Sequence, residues 1–366
     1  MPLRFASSTP VRGTMCVQAV LVVMLLAGLA FLPSLASETR AAQDEDVIVG
    51  LITKTETNPF FVKMKEGAQA KADELGVELL TASGQFDGDN AGQVTAIENM
   101  VTAGANGILI TPSDTKAIVP AIERAREQGV IVIALDTPTD PQTAVDALFA
   151  TDNFMAGVLI GQYARAAMGD TPPVIATLDL APGISVGVLR HNGFLTGFNA
   201  DPATATPAAS PAASPEAASN FSTYIEDPNV VCSQDTAGDQ AKGQTAMENC
   251  LQSNPEINLV YTINEPAALG AYNALRAAGR ENDVMIVSVD GGCTGVQGVA
   301  DGQIAATSQQ YPLRMATLGV EAVAAYVETG ETPTGYTDTG VTLITAEPVE
   351  GVTSEDVEFG QANCWG

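Results

Sequence analysis

Three apolar, β-branched runs in this chain each stop on a single polar residue. Residues 130–135 lead into Asp136, residues 259–263 into Asn264, and residues 284–289 into Asp290. A carboxylate accepts from two adjacent hydroxyls at once, and an amide both donates and accepts. The competing reading for an aspartate after a strand is a turn or a helix cap. Against it, an equivalent ending recurs in both halves of the chain.

The segment Thr57-Asn58-Pro59-Phe60-Phe61 adds aromatic surface. Two consecutive phenylalanines at a helix start cannot both face one core. Either one is core and the other staples the helix, or one or both turn a face to a crevice. Sugars have apolar C–H faces and polar rims, which suit aromatic plates beside carboxylates. Arg190, near a helix start, is a solvated charge on a surface or a donor to ring and hydroxyl oxygens in a crevice.

Other chemistries find little support. His191 is the only histidine, and beside Arg190 it reads as a surface or supporting residue rather than a general base. No serine sits in GxSxG, and no cysteine has a plausible basic partner. Phosphate-cradling GxxxxGK[ST] and strand-following GxGxxG are both missing from the sequence. Asp87-Gly88-Asp89-Asn90 hints at calcium but lacks the remaining spaced ligands and the closing Glu. Asp89 or Asn90 fits a helix N-cap better. Neither CxxC nor HExxH occurs, so no zinc site and no cofactor are expected.

The chain has 366 residues, 46% of them hydrophobic, enough for two domains with cores of their own. Its 16 basic and 43 acidic residues give a formal charge of −27. Such a surface repels polyphosphates, so nucleic acid is not an expected partner. Residues 1–36 carry the marks of an export signal: Arg4 and Arg12, an apolar stretch over 17–32, and small residues at Ser34-Leu35-Ala36. An uncleaved anchor is the other reading. Either places the protein in the periplasm or at the cell surface. Cys232, Cys250, Cys293 and Cys364 follow the signal. An even number in an exported chain suggests disulfides, and four cysteines allow three pairings. Cys232–Cys250 and Cys293–Cys364 are favoured; the first would tie a strand end to the next helix, the second the tail to the body.

Strand and helix patterns alternate. Strands are expected at 47–52, 77–80, 107–110 and 130–135, with helices at 59–75, 91–103 and 116–128. Asn58 should cap the first helix and Gly76 should end it. The pattern restarts with helices at 154–168, 186–198, 240–251 and 266–278. Strands at 174–178, 229–232, 259–263 and 284–289 interleave with them. This predicts an α/β protein of two similar Rossmann-like lobes, parallel sheets flanked by helices. In such sheets ligands bind beyond the carboxyl ends of the strands, where the three polar endings lie. Residues 203–219, nearly all Ala, Pro, Thr and Ser, read as a disordered insertion in the second lobe.

These residues, in this order, resemble the type I periplasmic sugar-binding proteins of bacterial ABC importers, of the ribose-binding kind. The marks are TNPFF at 57–61, ILITPSD at 108–114, VIALD at 132–136, RHNGF at 190–194, NEPAALGAY at 264–272, VSVDGG at 287–292 and ATSQQYP at 306–312. NEPAALGAY, VSVDGGC and the terminal NCWG at 363–366 look most like a fructose-binding member. The resemblance implies two lobes joined by three crossovers, an N-terminal lobe of 45–151 plus 311–339 and a C-terminal lobe of 152–310 plus 340–366. It implies closure on a monosaccharide, fructose favoured, by hinge motion near Thr151 and Gln310, delivery by a monomer to a permease, and no covalent chemistry. Asn58, Phe60, Phe61 and Asp136 match first-lobe sugar ligands. Arg190, Asn264 and Asp290 match those of the second, and Gln310 matches the ligand at the hinge. Thr111 and Thr137 stand where the ribose pattern has Asn and Arg, and the second-lobe aromatic is missing near Gly238. These departures favour a sugar shaped differently from ribose. The rival functions are a receptor feeding a sensor or chemotaxis system, a repressor, and a glycosidase using Asp136 and Asp290. A repressor lacks its N-terminal DNA-binding segment here and carries the wrong charge.

Overall fold

The computed structural model describes residues 47–200 and 223–366. The expected export signal at 1–36 and the insertion at 203–219 lie outside them.

The first strands and helices alternate as the sequence pattern requires. They are β1 (Ile48–Thr53), α1 (Pro59–Leu75), β2 (Glu78–Ser83), α2 (Asn90–Thr102), β3 (Gly107–Ile110), α3 (Val119–Glu127), β4 (Ile131–Leu135) and β5 (Ala147–Ala150). α1 begins as expected: Asn58 Oδ1 accepts from Phe60 N at 3.0 Å with Pro59 behind it. Gly76, at φ 68°, ends it in the left-handed region that glycine enters freely. α3 starts three residues later than expected. Asp114 Oδ1 accepts from Lys116 N and Ala117 N at 2.9 and 2.8 Å, holding those residues in a turn.

The second series is α4 (Asn153–Met168), β6 (Ile175–Asp179), α5 (Ser185–Asn199), β7 (Val230–Asp235), α6 (Gln240–Ser253), β8 (Leu259–Thr262), α7 (Glu265–Ala277), β9 (Met285–Asp290), α8 (Cys293–Ala300) and β10 (Ala306–Gln309). The chain then returns as α9 (Pro312–Thr329) and β11 (Gly335–Asp338), and ends with β12 (Thr342–Thr345) and α10 (Val357–Asn363).

Among the described residues these strands form two six-stranded sheets, ordered β11-β5-β4-β3-β1-β2 and β12-β10-β9-β8-β6-β7. Every pairing is parallel except β10 with β12. The reason is visible in β4. Ile131, Ile133 and Leu135 enter one core with α1 and α9, while Val132 and Ala134 enter another with α2 and α3. A strand buried on both faces must be apolar throughout, and β-branched residues suit it. The second sheet repeats the arrangement between α4 and α5 on one side and α6 and α7 on the other. Each sheet with its helices is a lobe. The chain passes from the first sheet to the second after β5, back after β10, and across again between β11 and β12.

Two glycine pairs set the position of α5. A β-carbon at Gly157 or Gly161 of α4 would collide with the carbonyl oxygen of Arg190 or Phe194 on α5. One at Gly193 or Gly197 would collide with that of Phe154 or Val158. The two backbones therefore touch, which only hydrogen side chains permit. Both favoured disulfides are present, Cys232–Cys250 and Cys293–Cys364.

Candidate functional site

The sugar-facing candidates come together where the carboxyl ends of both sheets meet. β4 delivers Asp136, the loop after β8 delivers Asn264, and β9 ends on Asp290. Asp136 and Asp290 share an unusual backbone, at φ 62° and 138°. Non-glycine residues in these regions cost about 1–3 kcal/mol each and persist where the surroundings hold them, often at functional sites.

Arg190 is the organiser. It is buried, its Nε donating to Asn153 Oδ1 at 2.8 Å and its Nη1 to Ile263 O at 2.9 Å. Nη1 also reaches Asp290 Oδ1 at 3.2 Å, and Nη2 lies 3.9 Å from Asp136 Oδ1 in the other lobe. Its guanidinium thus stands between the two carboxylates. Gln310, at the crossover after β10, donates from Nε2 to Asp290 Oδ1 at 2.7 Å.

The other expected residues divide. Asn58, Phe60 and Phe61 line the chamber, the two rings meeting edge to face at 5.3 Å. Asn264 lines it too and caps α7, its Oδ1 accepting from Ala267 N and its Nδ2 donating to Gly238 O. Thr111 and Thr137 are buried but do not line it. Thr111 Oγ1 turns to Met64 Sδ at 3.5 Å, and Thr137 Oγ1 donates to Asp136 Oδ2 at 2.9 Å. Thr137 orients the carboxylate. Near Gly238, Leu180 and Ile263 supply the second lobe's apolar wall with aliphatic surface.

His191 is not at the surface. It is buried, with Nδ1 2.8 Å from Asp179 Oδ1 and Nε2 3.3 Å from Ile225 O, away from the chamber. Asp89 caps α2 by accepting from Gly92 N. Among the described residues no cluster of three or more His, Cys, Asp or Glu side chains could hold a metal.

Two chamber residues were not expected there, Asp87 having stood out only in a calcium-like run. Lys54, just after β1, is 2% exposed, and its Nζ lies 6.0 Å from the centre of the Phe61 ring. Asp87, in the loop after β2, faces it across the same wall. Burial raises the pKa of Asp87, an effect that Lys54 opposes. β1 and β2 are neighbours with Thr53 opposite Ser83, so the pairing brings these loops together.

Burial likewise pushes Asp290 up to about 6, against the pull of Arg190. Its neighbour Glu265 is raised by burial first and then by Asp290. Glu265 accepts from Gly291 N, Gly292 N and Thr307 Oγ1, fixing the loop that carries Asp290.

Three acceptors on chamber residues have no hydrogen-bond partner among the described residues: Asp87 Oδ1, Asp136 Oδ1 and Gln310 Oε1. A buried acceptor left unmatched costs about 1–3 kcal/mol. The chamber measures about 30 Å³, room for one or two waters. At Asn58, Asp87 and Asp290 it adjoins a cleft of about 640 Å³ between the lobes.

Two lobes whose strand ends converge on a shared polar chamber have the architecture of a two-lobed solute receptor. Residues 49–332 match the periplasmic binding protein domain, and the chain belongs to that family. It is 32% identical over 273 residues to the ribose import binding protein RbsB of Escherichia coli K12, covering 75% of this chain and 82% of that one. It is 28% identical to a D-ribose/D-allose-binding protein of Pseudomonas aeruginosa, covering 88% and 96%. Among solved structures, an ABC transporter solute-binding protein of Mycobacterium smegmatis with bound glycerol aligns with TM-score 0.69 at 27% identity. That alignment covers 81% of this chain and 93% of the other. In the described residues no helix is long and apolar enough to cross a membrane.

Proposed function

We propose that this chain is an exported, monomeric receptor that captures a neutral six-carbon monosaccharide, fructose first among the candidates, and delivers it to an ABC permease. The observation that carries the reading is the set of three buried acceptors without a hydrogen bond on the chamber walls, beside aromatic and aliphatic faces. Sugar hydroxyls are the donors such acceptors require, and C–H faces suit Phe60 and Phe61. Lys54 and Arg190 oppose three carboxylates, Asp87, Asp136 and Asp290, which disfavours an anionic ligand such as a sugar phosphate. Asp87 lies where the chamber adjoins the larger cleft. A ribose import protein and a ribose/allose-binding protein among the relatives support the ligand class. The proposed ligands are Asn58, Phe60, Phe61, Asp136, Arg190, Asn264, Asp290 and Gln310, joined by Lys54 and Asp87. Thr137 acts through Asp136. A chamber this small admits a sugar only with the lobes parted, and contacts from both lobes then favour closure.

Calorimetry with two matched pairs tests this. D-arabinose with D-fructose and D-ribose with D-allose each differ by one hydroxymethyl. The six-carbon member should bind more tightly in at least one pair. Asp136→Ala should weaken that sugar by about 2–4 kcal/mol, the scale for lost charge-assisted hydrogen bonds, without unfolding the protein. Folded wild-type protein that gives no heat with any of the four sinks the proposal.

A further inference from the structure

Trp365 is the only tryptophan in the chain, and both lobes hold it. On the second-lobe side its carbonyl oxygen accepts from Cys293 N at 2.9 Å, and its backbone bridges to Gly292. The adjoining Cys364 is bonded covalently to Cys293 at the start of α8. Gly292 and Cys293 lie two and three residues after Asp290, so the tail is tied to the loop that carries a chamber carboxylate. On the first-lobe side the ring is 5% exposed and belongs to the core that contains Phe60, Phe61 and Met64. It meets Phe60 edge to face at 5.3 Å. Its Nε1 donates to the carbonyl oxygen of Gln310 at 2.8 Å, at the crossover between the lobes.

We propose that residues 364–366 are an interlobe latch, in which Trp365 is a positioning residue for the closed sugar site and the Cys293–Cys364 bond keeps the latch set. The inference rests on the receptor reading above. The disulfide and the Gly292 bridge fix the indole to the second lobe. Parting the lobes therefore withdraws it from Phe60, and closing them buries it again. Trp365 lines the larger cleft and not the chamber that holds the polar sugar ligands, so it stabilises closure equally for any sugar that the chamber fits. Such a device multiplies every affinity by one factor and leaves selectivity alone. The bond matters because a tethered tail loses less freedom on docking than a loose one.

The test uses the full chain as Trp365→Leu, and as the pair Cys293→Ser with Cys364→Ser, which keeps the indole. Calorimetry should show both binding D-fructose and D-arabinose about tenfold more weakly than wild type, with the ratio between the sugars unchanged. Small-angle scattering without sugar should give both a larger radius of gyration. Wild-type tryptophan emission should shift to the blue as sugar is added. Affinities within twofold of wild type, or a loss confined to one sugar, overturn the latch. If wild type binds neither of these two sugars, the receptor reading is left to the four-sugar panel, and the sugar-free radii alone decide the latch: equal values overturn it and a larger variant radius upholds it. Should Trp365→Leu fail to fold, the serine pair carries the same measurements.

Discussion

At the scale of single residues the site is a balance of buried charges. Asp290 and Glu265 are both raised above their unfolded values, by burial first. A folded acid with a raised pKa holds protons that the unfolded chain has released. Its contribution to stability is therefore full below the unfolded pKa of about 4 and is lost as pH rises through the folded value. The sugar-free protein should accordingly melt at a falling temperature between about pH 5 and pH 8, and Glu265→Gln should flatten that slope; scanning calorimetry across the range reads both. A sugar hydroxyl that donates to Asp290 favours its ionised form, so sugar affinity should climb with pH through about 6. Asp136, Arg190, Asn264 and Asp290 were legible in the sequence because each pairs a polar type with a strand end or a helix start. Lys54 and Asp87 were not. Lys54 carries no motif and Asp87 stood out only in a calcium-like run; only the pairing of β1 with β2 makes them neighbours.

At the scale of elements, the decisive feature is the seam between α4 and α5. Gly157 and Gly161 face Gly193 and Gly197 so closely that no β-carbon fits. Arg190 lies in this seam, and its carbonyl is the atom a substituent on Gly157 would strike. Gly157→Ala should destabilise the protein by about 1–3 kcal/mol, the usual range for overpacking, and should also weaken sugar binding by displacing the guanidinium. Denaturant unfolding and calorimetry measure the two effects separately. The four-residue spacing of each glycine pair was present in the sequence, as were the helices α1 to α7. β5, β10, β11 and β12, and the helices α8, α9 and α10, went unread; the four strands are four residues each, and β10, β11 and β12 lack the unbroken apolar run that marked β3 and β8. Their assignment depends on what they pair with, which is tertiary information.

For the whole molecule, alternation of strand and helix sufficed to indicate two lobes, since parallel strands need crossover helices between them. How the lobes meet was not written in any local pattern. The two disulfides mark the difference. Cys232–Cys250 closes a loop within one lobe, with a sequence separation of 18. Replacing both cysteines with serine should lower stability by about 3 kcal/mol in the loop-entropy account, while leaving sugar affinity within twofold. Denaturant titration and calorimetry together check this, against the affinity loss expected when the tail bond is removed.

The return of the chain to its first sheet bears on manufacture as well as on motion. α9 and β11, residues 312–338, complete the first lobe, with Met315, Ala316, Val320 and Val323 filling its core. A polypeptide emerging N-terminus first must therefore be almost wholly synthesised before that lobe can close. Contacts this distant in sequence form slowly, because a long loop must be ordered before they reward it. The topology thus keeps the nascent chain unfinished for most of its synthesis, the condition in which a polypeptide can still be threaded through a narrow translocation channel.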